Sequence, residues 1–507
     1  MKLLSLSNQW NRVGMAAGAA ASVLALVGCG GGGDAGAPLT DPNSGLVASS
    51  SVAQHCAAPR STDVQGTVSD EKSWVRSWID ETYLWYGDVR ALSASTLNAG
   101  NYATALAYFN ALKSPLTTAS GKPKDEFHFT YDTPTWVALS QSGVSYGYGF
   151  EVDLVASTPP RKAVIAYTDP STPATANSIA RGAQVLKVDG IDLVNDNTNA
   201  GIATLNAGLF PDVTGTHTFS ILDVGASTPR NVTMTAAALT STPVQNVKTL
   251  AAPNQNVGYL LFNAHIATAE SQLITAVNQL KTAGVTDLVL DVRYNGGGYL
   301  DIAAELAYMI AGPTNTSGKV FEVQTFNDKN PFQLTLAQRT TPFENTTQGF
   351  STTTGQALPT LNLSRVYVLA GSGTCSASEA IVNGLRGAGV TVSLIGATTC
   401  GKPYGFYPQD NCNTTYFSIQ FKGVNNAGFG DYADGFAPTC TVADDYNHAL
   451  GDPAEGRLAA ALYLRTNGVC QPGTGTTMTA LSTRVPTAGG LALTRPALRE
   501  NRFYRGL

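Results

Sequence analysis

Between residues 256 and 470, short apolar runs of strand length alternate with stretches of helical period, and nothing else in the sequence constrains the fold as strongly. Runs at 258–262, 287–292, 365–370 and 391–395 read as strands. Stretches at 267–283, 300–310, 376–386 and 455–464 read as helices, the first carrying Leu273, Ile274, Val277 and Leu280 on one face. Repeated strand–helix units predict an α/β fold with a mainly parallel sheet covered by helices. In such sheets the working groups collect where strands end and helices begin.

The chain has 507 residues and a formal charge of −5, without the basic excess that nucleic-acid binding requires. Hydrophobic residues make up 43%, enough for several cores. Charged residues are only 13%, about half the usual globular share. Thr, Asn, Ser and Gly fill the gap, as suits an exported, loop-rich protein.

The first residues support export. Residues 1–28 carry Lys2 and Arg12, no acid, and an apolar run from Met15 to Val27 that is too short to span a bilayer as a stable helix. It ends in Leu26-Val27-Gly28-Cys29, which resembles a bacterial lipobox with Cys29 as the lipidated residue. Residues 29–53, opening with Gly30 to Gly33, read as a flexible tether. Gly30 carries no acidic retention signal, so in a double-membraned bacterium the expected place is the periplasmic face of the outer membrane.

Residues 54–133 are expected to form a small helical domain. Trp74, Val75, Trp78, Ile79, Tyr83 and Leu84 recur at helical spacing, as do Tyr102, Ala105, Leu106, Phe109 and Leu112. These stripes read as core and carry no chemistry. In residues 134–241 short β-like runs alternate with turns. Gly182-Ala183-Gln184-Val185-Leu186-Lys187-Val188-Asp189-Gly190 resembles the PDZ domain in its circularly permuted bacterial form. The resemblance implies an extended peptide bound by β-augmentation, with Gly147, Tyr148, Gly149 and Phe150 as the loop that meets its carboxylate.

Three stretches of residues 242–470 stand where strands give way to turns. Asp291-Val292-Arg293-Tyr294-Asn295-Gly296-Gly297-Gly298 can aim backbone amides outward, as an oxyanion site needs. Gly371 to Glu379 contains Ser376-x-x-Glu379, which by itself fits a helix capping box. In Gly396 to Gly405, Lys402 sits in a turn-rich loop; a lysine acts as general base only when neutral. Gly396-x-x-x-x-Gly401-Lys402 mimics a phosphate loop, but Pro403 stands where a magnesium-ligating Ser or Thr belongs.

In this order, the three stretches resemble the C-terminal processing (tail-specific) peptidases, serine peptidases with a Ser/Lys dyad. The likeness extends over about two-thirds of the chain, including the PDZ-like part. It implies a crotonase-like α/β protease domain, peptide-bond hydrolysis, protein or peptide substrates, and no metal or cofactor. By matching motif, Ser376 is the nucleophile, Lys402 the general base and Glu379 the third member. Ala377 and the Gly297/Gly298 turn form the oxyanion hole. The sequence departs from its relatives at Cys375, where a small aliphatic residue is usual, and at Pro403, where Gly is usual. Cys375 is a competing nucleophile in principle.

A Ser-His-Asp hydrolase lacks its Gly-x-Ser-x-Gly elbow here; His265, just after the 258–262 strand, is placed to approach the site but reads as a solvated or hydrogen-bonded structural histidine. A catalytically idle PDZ scaffold has no need of Ser376, Lys402 and Glu379 together. Beyond Cys29, six cysteines in an exported chain suggest disulfides, with fifteen connectivities open. Cys400 and Cys412 bracket a short loop and are the favoured pair; no CxxC supports zinc. Residues 471–507, with Arg495, Arg499, Arg502 and Arg505, read as a poorly ordered, solvated tail.

Overall fold

The computed structural model describes residues 43 and 45–472, together with Leu491, Leu493 and Arg502–Phe503. The signal-like segment, Cys29 and most of the tether lie outside the described residues, as does most of 471–507.

The expected strand–helix alternation is present. A six-stranded sheet runs in the order Val244–Thr249, Val257–Phe262, Asp287–Asp291, Arg365–Ala370, Thr391–Gly396, Cys440–Thr441. The three inner strands from Val257 to Ala370 are almost wholly buried, which is why they read as unbroken apolar runs. Helices Ala269–Thr282, Leu300–Thr316, Ala377–Gly387 and Gly456–Asn467 cover the sheet.

The sheets of the chain are nevertheless mixed rather than mainly parallel, which corrects the sequence expectation. Val244–Thr249 pairs antiparallel with Val257–Phe262, because the connection over 250–256 is too short for a crossover. A second sheet, built from Val320–Thr325, Thr340–Pro342, Phe421–Val424 and Tyr404–Gly405, is antiparallel throughout.

The parallel register of the central strands sets the site. Asp291 stands opposite Leu369, and Ala370 opposite Gly396, so the loops after these three strands leave from one edge of the sheet.

The earlier segments form two different relationships to this sheet. Helix Val68–Thr82 begins with a closed capping box between Thr67 and Asp70. Its Trp74 and Trp78 stack 5.2 Å apart and meet Tyr416 of the later region, while Phe109 lies 5.0 Å from the same ring. These helices therefore share one continuous core with the central sheet. Residues 150–235 instead close an antiparallel sheet around a core of their own, which includes Val152, Ile165, Val185, Leu205 and Phe219. No described helix is long and apolar enough to cross a membrane.

Candidate active site

The serine stands at a sharp reversal between strand and helix. After Ala370 the chain turns through Gly371–Cys375, with Thr374 Oγ1 accepting from Gly371 N–H at 2.9 Å and donating to the Val292 carbonyl at 2.9 Å. Ser376, fully buried, has φ +59° and ψ −113°, a sparsely populated positive-φ conformation that costs a non-glycine residue about 1–3 kcal/mol. Helix Ala377–Gly387 starts directly after it. The Ser376–Glu379 capping box expected from the sequence is present in outline, without a full side-chain bond to the helix N–H groups. Ser376 N–H donates to Glu379 Oε2 at 3.0 Å, but Ser376 Oγ, out of contact with solvent, has no hydrogen-bond partner among the described residues.

Glu379 joins this turn to the lysine loop. Its Oε1 accepts from Thr399 Oγ1 at 2.5 Å and from Gly401 N–H at 2.9 Å; its Oε2 accepts from Lys402 N–H at 2.8 Å as well as from Ser376. Complete burial raises the Glu379 carboxyl above its ordinary range, and these four donors pull in the opposite direction. Lys402 is buried to 0% exposure. Its Nζ lies 4.2 Å from the Phe406 ring centre and 4.4 Å from that of Phe127.

The glycine turn closes the third side. Asn295 organises it: Oδ1 accepts from Gly297 N–H at 3.0 Å, Nδ2 donates to the Phe262 carbonyl at 3.0 Å, and the Asn295 carbonyl receives Cys375 N–H and the Ser378 hydroxyl. Gly298 has φ +136°, and a Cβ there would lie 2.2 Å from the His265 carbonyl oxygen, so only glycine fits. His265 is fully buried, with Nδ1 3.0 Å from Asn295 Oδ1 and its ring against Phe262. Ala377 is the first residue of its helix, where an N–H has no intrahelical acceptor.

Beneath the turn lies a buried ion network. Arg293 is 1% exposed and donates to Asp291, Glu455 and Asp444. Asp444 is held well below the usual carboxylate range by Arg457, Arg293 and Arg181 against its burial.

The cysteine pairing differs from the expectation. Cys400 is bonded to Cys375, not to Cys412; Cys412 pairs with Cys56, and Cys440 with Cys470. Closeness along the chain misleads here, because Cys375 and Cys400 follow neighbouring parallel strands and leave the sheet side by side. Cys375 is thereby removed as a free thiol. The two sulfurs and a Glu379 oxygen lie within 4.8 Å of one another, but disulfide sulfurs offer no thiolate to a metal.

Of the residues assigned from sequence, Ser376 and Lys402 meet at the Glu379 carboxylate through their main-chain N–H groups, Ala377 follows Ser376, and Gly297 and Gly298 adjoin this turn through Asn295. Gly147–Phe150 belong to the smaller antiparallel region. Gly147 pairs with Ala237, the Tyr148 ring is buried against Phe150 and Phe219, and Gly149 has φ +80° where a Cβ would strike Thr172. Sequence reasoning missed Thr399, Asn295 and Phe127. Asn295 had a signal, as an Asn before glycines at a strand end; Phe127, far off in sequence, had none.

Residues 256–410 match the model of peptidase family S41. The chain thus carries a peptidase S41 domain, and carboxyl-terminal-processing proteases are among its homologues. One such protease, from Picosynechococcus sp., is 26% identical over 264 residues, covering 52% of this chain and 56% of that one. Another, from Synechocystis sp., is 27% identical over 219 residues, covering 43% and 44%. The chain spans about half the length of these curated relatives. A crystal structure from Bacteroides fragilis described as an S41 protease has the same fold, with a TM-score of 0.60 at 24% identity, over 78% of this chain and 97% of that one.

Proposed function

We propose that this chain is a serine endopeptidase that cuts exported polypeptides near their C-termini, with Ser376 as nucleophile, Lys402 as general base and Glu379 positioning both. The observation that carries this reading is the buried Ser376 hydroxyl, which makes no hydrogen bond among the described residues. It sits on a strained turn, while Glu379 holds the backbone N–H groups of Ser376 and Lys402.

Ser376 Oγ attacks the scissile carbonyl carbon as its proton passes to the Lys402 amine. The oxyanion is met by Ala377 N–H at the positive end of its helix. Asn295 already holds the Gly297 N–H, so Gly298 supplies the second donor. Collapse breaks the C–N bond, and Lys402 returns the proton to the leaving amine. Water then hydrolyses the acyl ester by the same proton route. Burial between Phe127 and Phe406 keeps water from Lys402 Nζ, and the ring faces stabilise the ammonium that forms after transfer.

The homologous carboxyl-terminal-processing proteases support the choice of substrate end, and the three disulfides support an oxidising compartment. Residues 134–241 act as a PDZ-like peptide-binding domain, residues 54–133 as a helical domain, and Cys29 as a lipid anchor; the last rests on sequence alone. The test is digestion of an unfolded exported polypeptide. Ser376→Ala and Lys402→Ala are each expected to lower kcat by about a thousandfold or more. Cleavage that persists in either variant overturns the dyad.

A further inference from the structure

The strand Gly298–Tyr299 has two edges, and each is occupied by a different part of the chain. On one edge, His265 N–H donates to the Gly297 carbonyl at 3.0 Å and Tyr299 N–H donates to the His265 carbonyl at 2.8 Å. Peptide groups alternate in direction along a strand, so these bonds leave the N–H and C=O of Gly298 facing the opposite edge. Arg502–Phe503 pairs there in parallel, with Gly298 opposite Arg502 and Tyr299 opposite Phe503. The same two residues also lie alongside Tyr404–Gly405, directly beyond the lysine loop. The segment therefore runs between the glycine turn and the loop that carries Lys402, along the edge that would present an amide to a substrate.

A second attachment lies upstream. Leu493 is 3% exposed in the core of the smaller sheet, and its N–H donates to the Ser157 carbonyl at 3.1 Å. Leu491 N–H donates to Asn197 Oδ1 at 2.7 Å, and its carbonyl receives buried Arg161 Nη2 at 2.5 Å. Nine residues beyond Leu493 can reach about 30 Å, so this fixed point keeps Arg502–Phe503 at high local concentration near Gly298.

We propose that the segment bearing Arg502 and Phe503 is an intramolecular ligand of the peptidase site, bound through its main chain as an extended polypeptide and excluding other polypeptides until it leaves. The ligand class is an extended chain recognised by its peptide groups, as in β-augmentation. The proposal rests on the reading of this site as a peptidase site. It needs no special side chain at 502 or 503; what it requires is the Phe503 N–H, which in a parallel ladder reaches the Gly298 carbonyl.

Phe503→Pro removes that donor. In a Ser376→Ala background, so that nothing is cut, binding of a fluorescent peptide copying residues 498–507 is measured for the Phe503→Pro chain and for its Phe503 parent. A tethered segment at about 1 mM, competing with a free peptide of about 0.1 mM dissociation constant, weakens the free peptide about tenfold. The Phe503→Pro chain should thus bind the peptide about ten times more tightly than the parent. In chains with Ser376 restored, Phe503→Pro should lower KM for an unfolded polypeptide severalfold and leave kcat unchanged. Equal peptide affinities, or no binding to either chain, overturn the proposal. A tenfold difference in binding with no polypeptide cleavage by either Ser376 chain upholds the occupancy and removes the peptidase reading instead.

Discussion

Cys375 and Cys400 are joined by a disulfide that links the residue before Ser376 to the loop ending in Lys402. The bridge closes a loop of sequence separation 25, for which chain entropy alone gives about 3 kcal/mol of stabilisation. It also fixes the distance between the Ser376 turn and the Lys402 loop. The double variant Cys375→Ala/Cys400→Ala is expected to lose about 3 kcal/mol in denaturant unfolding. Its kcat should fall while KM changes little. An unchanged kcat would assign the bridge to stability alone.

Glu379 is fully buried and receives four donors, from Ser376, Thr399, Gly401 and Lys402. A glutamine in its place turns one acceptor oxygen into an NH2 group that faces donors. Glu379→Gln therefore leaves at least one buried donor unsatisfied, at about 1–3 kcal/mol each. The expected outcome is a lower melting temperature together with a loss of kcat of about a hundredfold. A stable variant with full kcat would show that Glu379 does not position the site.

Arg293 compensates Asp291, Asp444 and Glu455 in the ion network directly before the glycine turn. Arg293→Met leaves these carboxylates close together and short of their central cation, a change that typically costs about 3–5 kcal/mol. Urea unfolding should register that loss. A variant within about 1 kcal/mol of the parent would mean that Arg181 and Arg457 suffice for these acids.

Much of this was legible in the sequence, for reasons that differ by region. Strands 287–291 and 365–370 are buried on both faces, so they wrote themselves as continuous apolar runs, and the loops after them hold the glycine turn and Ser376. Trp74 and Trp78 were legible as core, but not their partner Tyr416, because that contact crosses most of the chain. The Cys375–Cys400 pairing depends on which strands lie side by side, which no spacing records. Arg502 and Phe503 left no trace either. Their pairing with Gly298 and Tyr299 is made by main-chain groups, which every sequence has.

Acid groups near the glycine turn give the protein a pH dependence with a definite sign. Tyr299, next to Gly298, packs 4.7 Å from Phe350, and the loop holding Phe350 is tied down by Glu270, which accepts from the N–H groups of Gln348, Gly349, Ser351 and Thr352. Glu305 also accepts from Gln348 N–H at 2.9 Å; burial first, and neighbouring Glu270 second, push its carboxyl up to about 9. Burial and Asp301 push Glu344 up to about 7. In both cases the folded chain holds a proton that the unfolded chain releases near the ordinary value of 4.5. Stability from these protons is complete below that value and is lost as pH rises, through about 7 for Glu344 and about 9 for Glu305. Glu305→Gln keeps the neutral form at every pH. Relative to this variant, the parent should lose on the order of 2 kcal/mol or more between about pH 5 and pH 8.5 in denaturant unfolding. Glu344→Gln should flatten only the part of the profile below about pH 7. Parallel profiles for the parent and Glu305→Gln would mean that Glu305 is ionised in the folded chain and that the Phe350 loop is held without its proton.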